Sequence, residues 1–215
     1  MSSPELILAS GSPRRRELLT AAGYRFRVVK PRDGAEPDGA CSSCGPAQLV
    51  VDLASAKLSD VLDQLRSNDQ ATEPETPQLV LAADTVAEVH GQILGKPKTD
   101  DHAAGMMRLL SAREHRVYSG IALARRDAGL IEHLALEPQV TTLRMDTLSA
   151  DWIERYVDSG AWEGKAGGFG YQDGLGFVHV TEGSESNVVG LPMERVKELL
   201  QRHGCVPATC ETEPS

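Results

Sequence analysis

The run Ser10-Gly11-Ser12-Pro13-Arg14-Arg15-Arg16 sets three consecutive cations just after a serine–proline pair. Ser12 suits a helix N-cap and Pro13 the first helical position, so the arginines fall in the first turn. That end of a helix carries the positive pole of its dipole, and a cation there costs ~0.3–1 kcal/mol. Three together make sense where an anion sits. Helix amides, the hydroxyls of Ser10 and Ser12, and guanidinium groups form a natural cradle for a polyphosphate. A solvated basic helix face is the competing reading. The apolar strand just upstream, Leu6-Ile7-Leu8-Ala9, and the formal net charge of -9 weigh against it.

Asp84 follows the apolar run Leu79-Val80-Leu81-Ala82-Ala83 and precedes Thr85. A carboxylate at the end of a buried strand is where α/β enzymes place a metal ligand or a general base. An aspartate also ends strands as an ordinary turn former, and the residue alone does not separate the two. Lys96 and Lys165 each lie in a glycine-containing loop and could bring point charges to phosphates, although surface lysines more often meet only water. Gly91-Gln-Ile-Leu-Gly95-Lys96-Pro97 has too few residues between its glycines for a Walker A loop, and proline replaces its serine or threonine. No G-x-S-x-G elbow is present. The six histidines lack metal-site spacing and read as structural or surface residues.

A set of alternating elements must hold these residues. The strand at Leu6–Ala9 leads into a helix that Gly23 can stop, and Tyr24 to Val29 suggests a second strand. Helical periodicity follows over Gln48 to Leu65, then the strand at Leu79–Ala83, a helix over Thr99 to Leu110, and strands over His115–Leu123 and Val140–Met145. Ser149 caps a helix to about Val157, with Leu148 and Ile153 placed as a hydrophobic staple. Gly164 to Gly176 reads as a glycine-rich loop, Gly176–Val180 as a strand and Pro192–Gln201 as a last helix. This order predicts a mixed α/β (α+β) fold. Loops are expected at about 31–46 and 67–78, a single domain over 1–203, and a disordered tail over 204–215.

Composition narrows the class further. The acidic balance argues against broad nucleic-acid binding. No apolar run approaches the roughly 20 residues of a membrane span, and no basic segment followed by an apolar one marks an N-terminal signal, so the expected compartment is the cytoplasm. Of the four cysteines, Cys41 and Cys44 form a CxxC while Cys205 and Cys210 lie near the C-terminus; free thiols are expected over a zinc site.

Five segments in order carry a resemblance. They are Leu8-Ala-Ser-Gly-Ser-Pro-Arg-Arg-Arg-Glu-Leu-Leu19; Ala83-Asp-Thr-Val86 with Leu94-Gly-Lys-Pro97; Leu109-Leu-Ser-Ala-Arg-Glu-His-Arg-Val117; Gly164-Lys-Ala-Gly-Gly-Phe-Gly-Tyr-Gln172; and Asn187-Val-Val-Gly-Leu-Pro192. Together they resemble the Maf (septum-formation-inhibitor-like) nucleotide pyrophosphatases, from about Leu6 to Leu200. The resemblance implies two lobes around a central cleft and hydrolysis between the α- and β-phosphates of a nucleoside triphosphate, with Mg²⁺ or Mn²⁺. It implies Asp84 as proton acceptor, close to the metal; Ser12, Arg14, Arg15, Lys57, Lys96 and Lys165 around the phosphates; and Arg14, Thr85 and Gln172 as positions that separate substrates. A homodimer is implied as well. The segment ending in Gln172 resembles the dTTP/UTP branch, and a glutamine amide can both donate to and accept from a pyrimidine.

Some residues depart from the pattern. Ala161 stands where a glutamate is usual, and Ala112 where a glycine is usual. The loop in which an acidic metal ligand is common reads Pro31-Arg-Asp33-Gly-Ala-Glu36, leaving Asp33 or Glu36 for that part. The rival expectations are a nucleotide-binding regulator of cell division with little turnover, or the same reaction on ITP or 7-methyl-GTP.

Overall fold

Three apolar strands buried on both faces organise the molecule, and their side chains alternate between two cores. The computed structural model describes residues 3–35, 44–68, 76–174 and 176–208. In chain order the elements are β1 (Glu5–Ala9), α1 (Pro13–Ala21), β2 (Phe26–Val28), α2 (Gly45–Asn68), β3 (Gln78–Val89), β4 (Gln92–Leu94), α3 (Asp100–Leu110), β5 (Glu114–Asp127), β6 (Leu130–Met145), α4 (Ala150–Asp158), β7 (Val178–Glu182), α5 (Glu185–Val189) and α6 (Met193–Arg202). One mixed sheet runs in the order β2-β1-β3-β5-β6-β7, with β4 paired to β3. β2, β1 and β3 are parallel, while β3, β5, β6 and β7 form an antiparallel run. The expected mixed α/β class is what the chain adopts.

On one face of the sheet Leu6, Leu8, Leu79, Leu81, Ala83, Ile121 and Leu123 pack with Leu19 of α1 and with Val196, Leu199 and Leu200 of α6. On the other, Ile7, Ala9, Val80, Ala82, Ala122 and Ala124 receive Ala54, Leu58, Val61, Leu62 and Leu65 of α2. A further core joins Ala87, Val89 and Leu94 to Met106, Met107 and Leu110 of α3 and to Ile153, Tyr156 and Val157 of α4. Both of those helices start on the expected kind of cap: Thr99 accepts from the amide of His102, and Ser149 from that of Trp152.

The largest departure concerns β3. The expected strand stops at Asp84, but β3 continues to Val89. Asp84 instead marks a change of neighbour: β1 pairs with β3 only as far as Ala9 opposite Ala82, whereas β5 stays paired through Glu88. Polar residues beyond Ala83 hid the continuation. β6 likewise begins at Leu130 rather than Val140, because its first half alternates on a largely exposed face. Two short elements, β4 and α5, were not expected. The Gly164–Gly176 loop contains two 3-10 turns, Ala166–Gly168 and Tyr171–Asp173. Beyond Gly204 the chain stays on the body as far as Ala208: Cys205 is buried and the amide of Ala208 donates to Gly23 O at 2.8 Å. Cys44 is in a disulfide, correcting the expectation of a free thiol. Cys41, Cys210 and Glu36 lie outside the described residues.

Candidate active site

Asp84 meets Lys57 in an ion pair that bridges β3 and α2, each side chain only 14% exposed. The sequence explains the meeting. Asp84 lies opposite Gly120 on β5, and a β-carbon at Gly120 would come within 2.0 Å of Val50 O. Glycine there lets the backbone of α2 rest directly on the sheet. Lys57 follows Val50 by seven residues, two helical turns, and so returns to the same face.

Thr85, the next residue, points to the opposite face, as period-two alternation requires. Its hydroxyl lies 2.8 Å from Ser119 Oγ and donates to Gly190 O at 3.3 Å. Arg15 reaches the same point from α1. It is 8% exposed, and its guanidinium donates to Gly190 O (2.8 Å), Ser10 Oγ (3.1 Å) and Thr85 Oγ1 (3.2 Å). Arg15 thus ties the end of β1, the middle of β3 and the turn after α5 together. Ser12 occupies the N-cap but makes no side-chain capping bond; its amide donates to Ser10 Oγ at 3.2 Å.

Beneath Thr85 the network continues. Ser119 Oγ donates to Asn187 O, and the Asn187 amide donates to Val117 O (3.2 Å) and Thr141 Oγ1 (2.9 Å). Ser119 and Asn187 are buried. Asn187 opens the last of the five resembling segments, but the sequence assigned it no role.

Arg14, one position before Arg15, points elsewhere. It is half-buried and donates to Gly164 O at 3.2 Å, which brings the start of α1 to the glycine-rich loop. Gly167 N donates to Gly95 O at 3.0 Å, so the exposed Lys96 stands beside the same loop. Within it, Lys165 forms an ion pair with Asp173. Sequence reasoning missed Asp173, whose only signal was its position next to Gln172 in a polar turn. Gln172 itself is exposed. Ala161 is half-buried and packs against the core of α3 and α4, so it serves packing where a carboxylate was usual.

Asp33 is exposed in the loop after β2, where its neighbour Arg32 is bound to Asp60 through the amide (2.9 Å) and Nε (2.7 Å). Among the described residues no three His, Cys, Asp or Glu side chains gather as a metal group, and Glu36 lies outside those residues. No helix among the described residues is long and apolar enough to cross a membrane.

Two titrating groups beside the loop are shifted. Tyr156, whose hydroxyl donates to Gly168 O at 3.1 Å, is pushed up to about 12 by burial and then by the charge of Asp173. His115 packs edge-on against Phe169 with ring centroids 5.6 Å apart, and burial lowers it to about 4.

The geometry thus pairs Asp84 with Lys57 and, through Arg14, brings the start of α1 to the lysine-bearing loop, features suited to phosphate chemistry. Residues 5–203 match the family described as Maf-like protein. A dTTP/UTP pyrophosphatase of Rhodopirellula baltica is 48% identical over 202 residues, covering 93% of this chain and 82% of that protein. Another, of Chelativorans sp., is 40% identical over 206 residues (95% of this chain, 94% of that protein). A third, of Pelotomaculum thermopropionicum, is 36% identical over 201 residues (93% and 97%). With the match running nearly end to end, this chain belongs to the Maf family of Maf-like proteins.

Proposed function

We propose that this chain hydrolyses dTTP and UTP, with modified pyrimidine analogues, to the monophosphate and pyrophosphate, and so clears the nucleotide pool. The Asp84–Lys57 pair carries the reading, together with the name borne by relatives that align along nearly the whole chain. Water attacks the α-phosphorus, its proton passes to the Asp84 carboxylate, and the bond to the bridging oxygen breaks. Lys57 holds that carboxylate in place and adds positive charge beside the reacting phosphate. Arg14, Lys96 and Lys165, with Ser12 and the helix amides, bind the phosphates and the departing pyrophosphate. Arg15 supports them from below, and Gln172 reads the base.

The Asp84 carboxylate with substrate phosphates and water suits Mg²⁺ or Mn²⁺, because magnesium is commonly held by one or two carboxylates plus substrate. The donor set fits a metal that arrives with the triphosphate. Asp84 would hold it, and when bound it supplies Lewis-acid neutralisation of phosphate charge. The same proposal includes a single domain over 1–203, a cytoplasmic enzyme and a homodimer.

The test is pyrophosphate release from a panel of nucleoside triphosphates with Mg²⁺ or Mn²⁺, wild type beside Asp84→Asn. Turnover of dTTP and UTP should fall by roughly 10²–10⁴-fold in the variant, the range for loss of a general base. Nucleotide binding without pyrophosphate release would replace the enzyme with a regulator. Preference for ITP or 7-methyl-GTP would keep the reaction and discard the pyrimidine branch.

A further inference from the structure

The loop that bears Lys165 also bears the carboxylate that neutralises it. Lys165 precedes the turn Ala166–Gly168, and Asp173 ends the turn Tyr171–Asp173. The chain folds back between them through Gly167 and Gly168, both in the left-handed region at φ 72° and 78°. The Lys165 and Asp173 side chains are 17% and 26% exposed, so a ligand can still reach the pair.

Other bonds among the described residues also hold this loop. Arg14 donates to Gly164 O (3.2 Å), Gly167 N to Gly95 O (3.0 Å), Tyr156 OH to Gly168 O (3.1 Å) and Tyr171 OH to Glu185 Oε1 (2.8 Å). As a strut, the Lys165–Asp173 contact adds little to these. Its effect is on charge: it occupies the ammonium that would otherwise face phosphate. We infer that Asp173 competes with the triphosphate for Lys165 and thereby sets how tightly the site holds a polyphosphate. This rests on the proposed phosphate-binding role of Lys165. A polyphosphate, more highly charged than a carboxylate, displaces Asp173; when pyrophosphate leaves, the internal pair re-forms and favours release.

A second residue gives independent access to the same contact. A β-carbon on Gly170 would meet the Asp173 carboxylate at 2.7, 3.0 and 3.0 Å, and those three atoms are its nearest neighbours. Gly170 has φ -115° and ψ 121°, ordinary extended backbone that alanine also adopts. Gly170→Ala should therefore push the carboxylate aside without removing its charge from the chain.

The experiment is calorimetric titration with inorganic tripolyphosphate under a chelator, on the full chain as wild type, Asp173→Asn, Gly170→Ala, Lys165→Gln and the Lys165→Gln/Asp173→Asn double variant. Asp173→Asn and Gly170→Ala should bind about two- to fivefold tighter, the span that a partly exposed ion pair is worth, with the gain shrinking at high salt. Lys165→Gln should bind more weakly, and adding Asp173→Asn to it should restore less than Asp173→Asn gains alone. Unchanged or weaker binding by Asp173→Asn, with Lys165→Gln still weakened, would overturn the competition and leave the phosphate role standing. Unchanged binding by Lys165→Gln would remove that role and the inference with it. No binding by the wild type, either under the chelator or with Mg²⁺ added, would remove the phosphate cradle itself.

Discussion

His115 offers a quantitative test of how the site's supporting core is built. It is 2% exposed and, among the described residues, neither ring nitrogen has a hydrogen-bond partner of normal geometry. Burial lowers it from 6.5 to about 4, with the Arg113 main chain and the Glu88 carboxylate offsetting only part of that effect. The folded state thus holds the imidazole neutral, while an unfolded histidine takes up its proton near pH 6.5. Between these values the unfolded chain binds more protons, so stability is complete above the unfolded value and falls as pH drops toward the folded one. Integrated from about pH 7.5 to about pH 5, the loss is about 2 kcal/mol. Urea unfolding across that interval measures it directly. His115→Leu should flatten the dependence by that amount, whereas an equal loss of stability in wild type and His115→Leu would show that the proton uptake lies elsewhere. The lowered groups Glu5, Asp60 and Glu194 withdraw their contributions mainly below this interval, as pH falls through their depressed values.

Two further substitutions probe the frame of the site. Gly120→Ala places a β-carbon within 2.0 Å of Val50 O, and should cost at least ~1–3 kcal/mol by overpacking while lowering kcat as α2 and Lys57 are pushed from Asp84; a stable variant with unchanged kcat would contradict the close-approach argument. Arg15→Lys cannot span Gly190 O, Ser10 and Thr85 with one ammonium, and should lose roughly 2 kcal/mol of stability. In a thermal melt that is a drop of roughly 4–8 °C for a domain of this size; no drop would mean that the three bonds contribute little.

The legible part of this chain was its apolar rhythm. Leu6–Ala9 and Leu79–Ala83 announce strands buried on both faces, and Thr99 and Ser149 announce the starts of α3 and α4, because each signal is local and chemically one-sided. The continuation of β3 past Asp84 was not legible, since Asp84, Thr85 and Glu88 interrupt the apolar run and only pairing with β5 keeps the strand extended. The start of β6 was hidden for a similar reason: its first half is supported by β5, while much of its side-chain surface remains exposed. At the site, Ser12, Arg14, Asp84, Lys96 and Lys165 could be nominated from their types and positions. Lys57 and Gln172 required the family resemblance. Asp173, Ser119 and Asn187 could not be assigned roles, because their roles depend on partners distant in the chain or folded back by turns.

Arg14 and Arg15 show why residue type alone stops short. They are adjacent, equally charged and in the same first turn, yet successive helix positions differ by roughly 100° around the axis. That rotation sends Arg15 inward to Gly190 O and Thr85, and Arg14 sideways to Gly164 O. Gly190 O and Gly164 O are main-chain carbonyls, groups that every residue carries and no composition distinguishes. Glycine contributes backbone freedom at both points, with φ 69° at Gly164 and 126° at Gly190. Mutating a neighbouring side chain would therefore perturb these contacts only through its effect on backbone position. The cation triplet is consequently better understood as two anchoring directions from one helix start than as three equivalent charges. One draws the C-terminal turn under the site and the other holds the lysine-bearing loop against it.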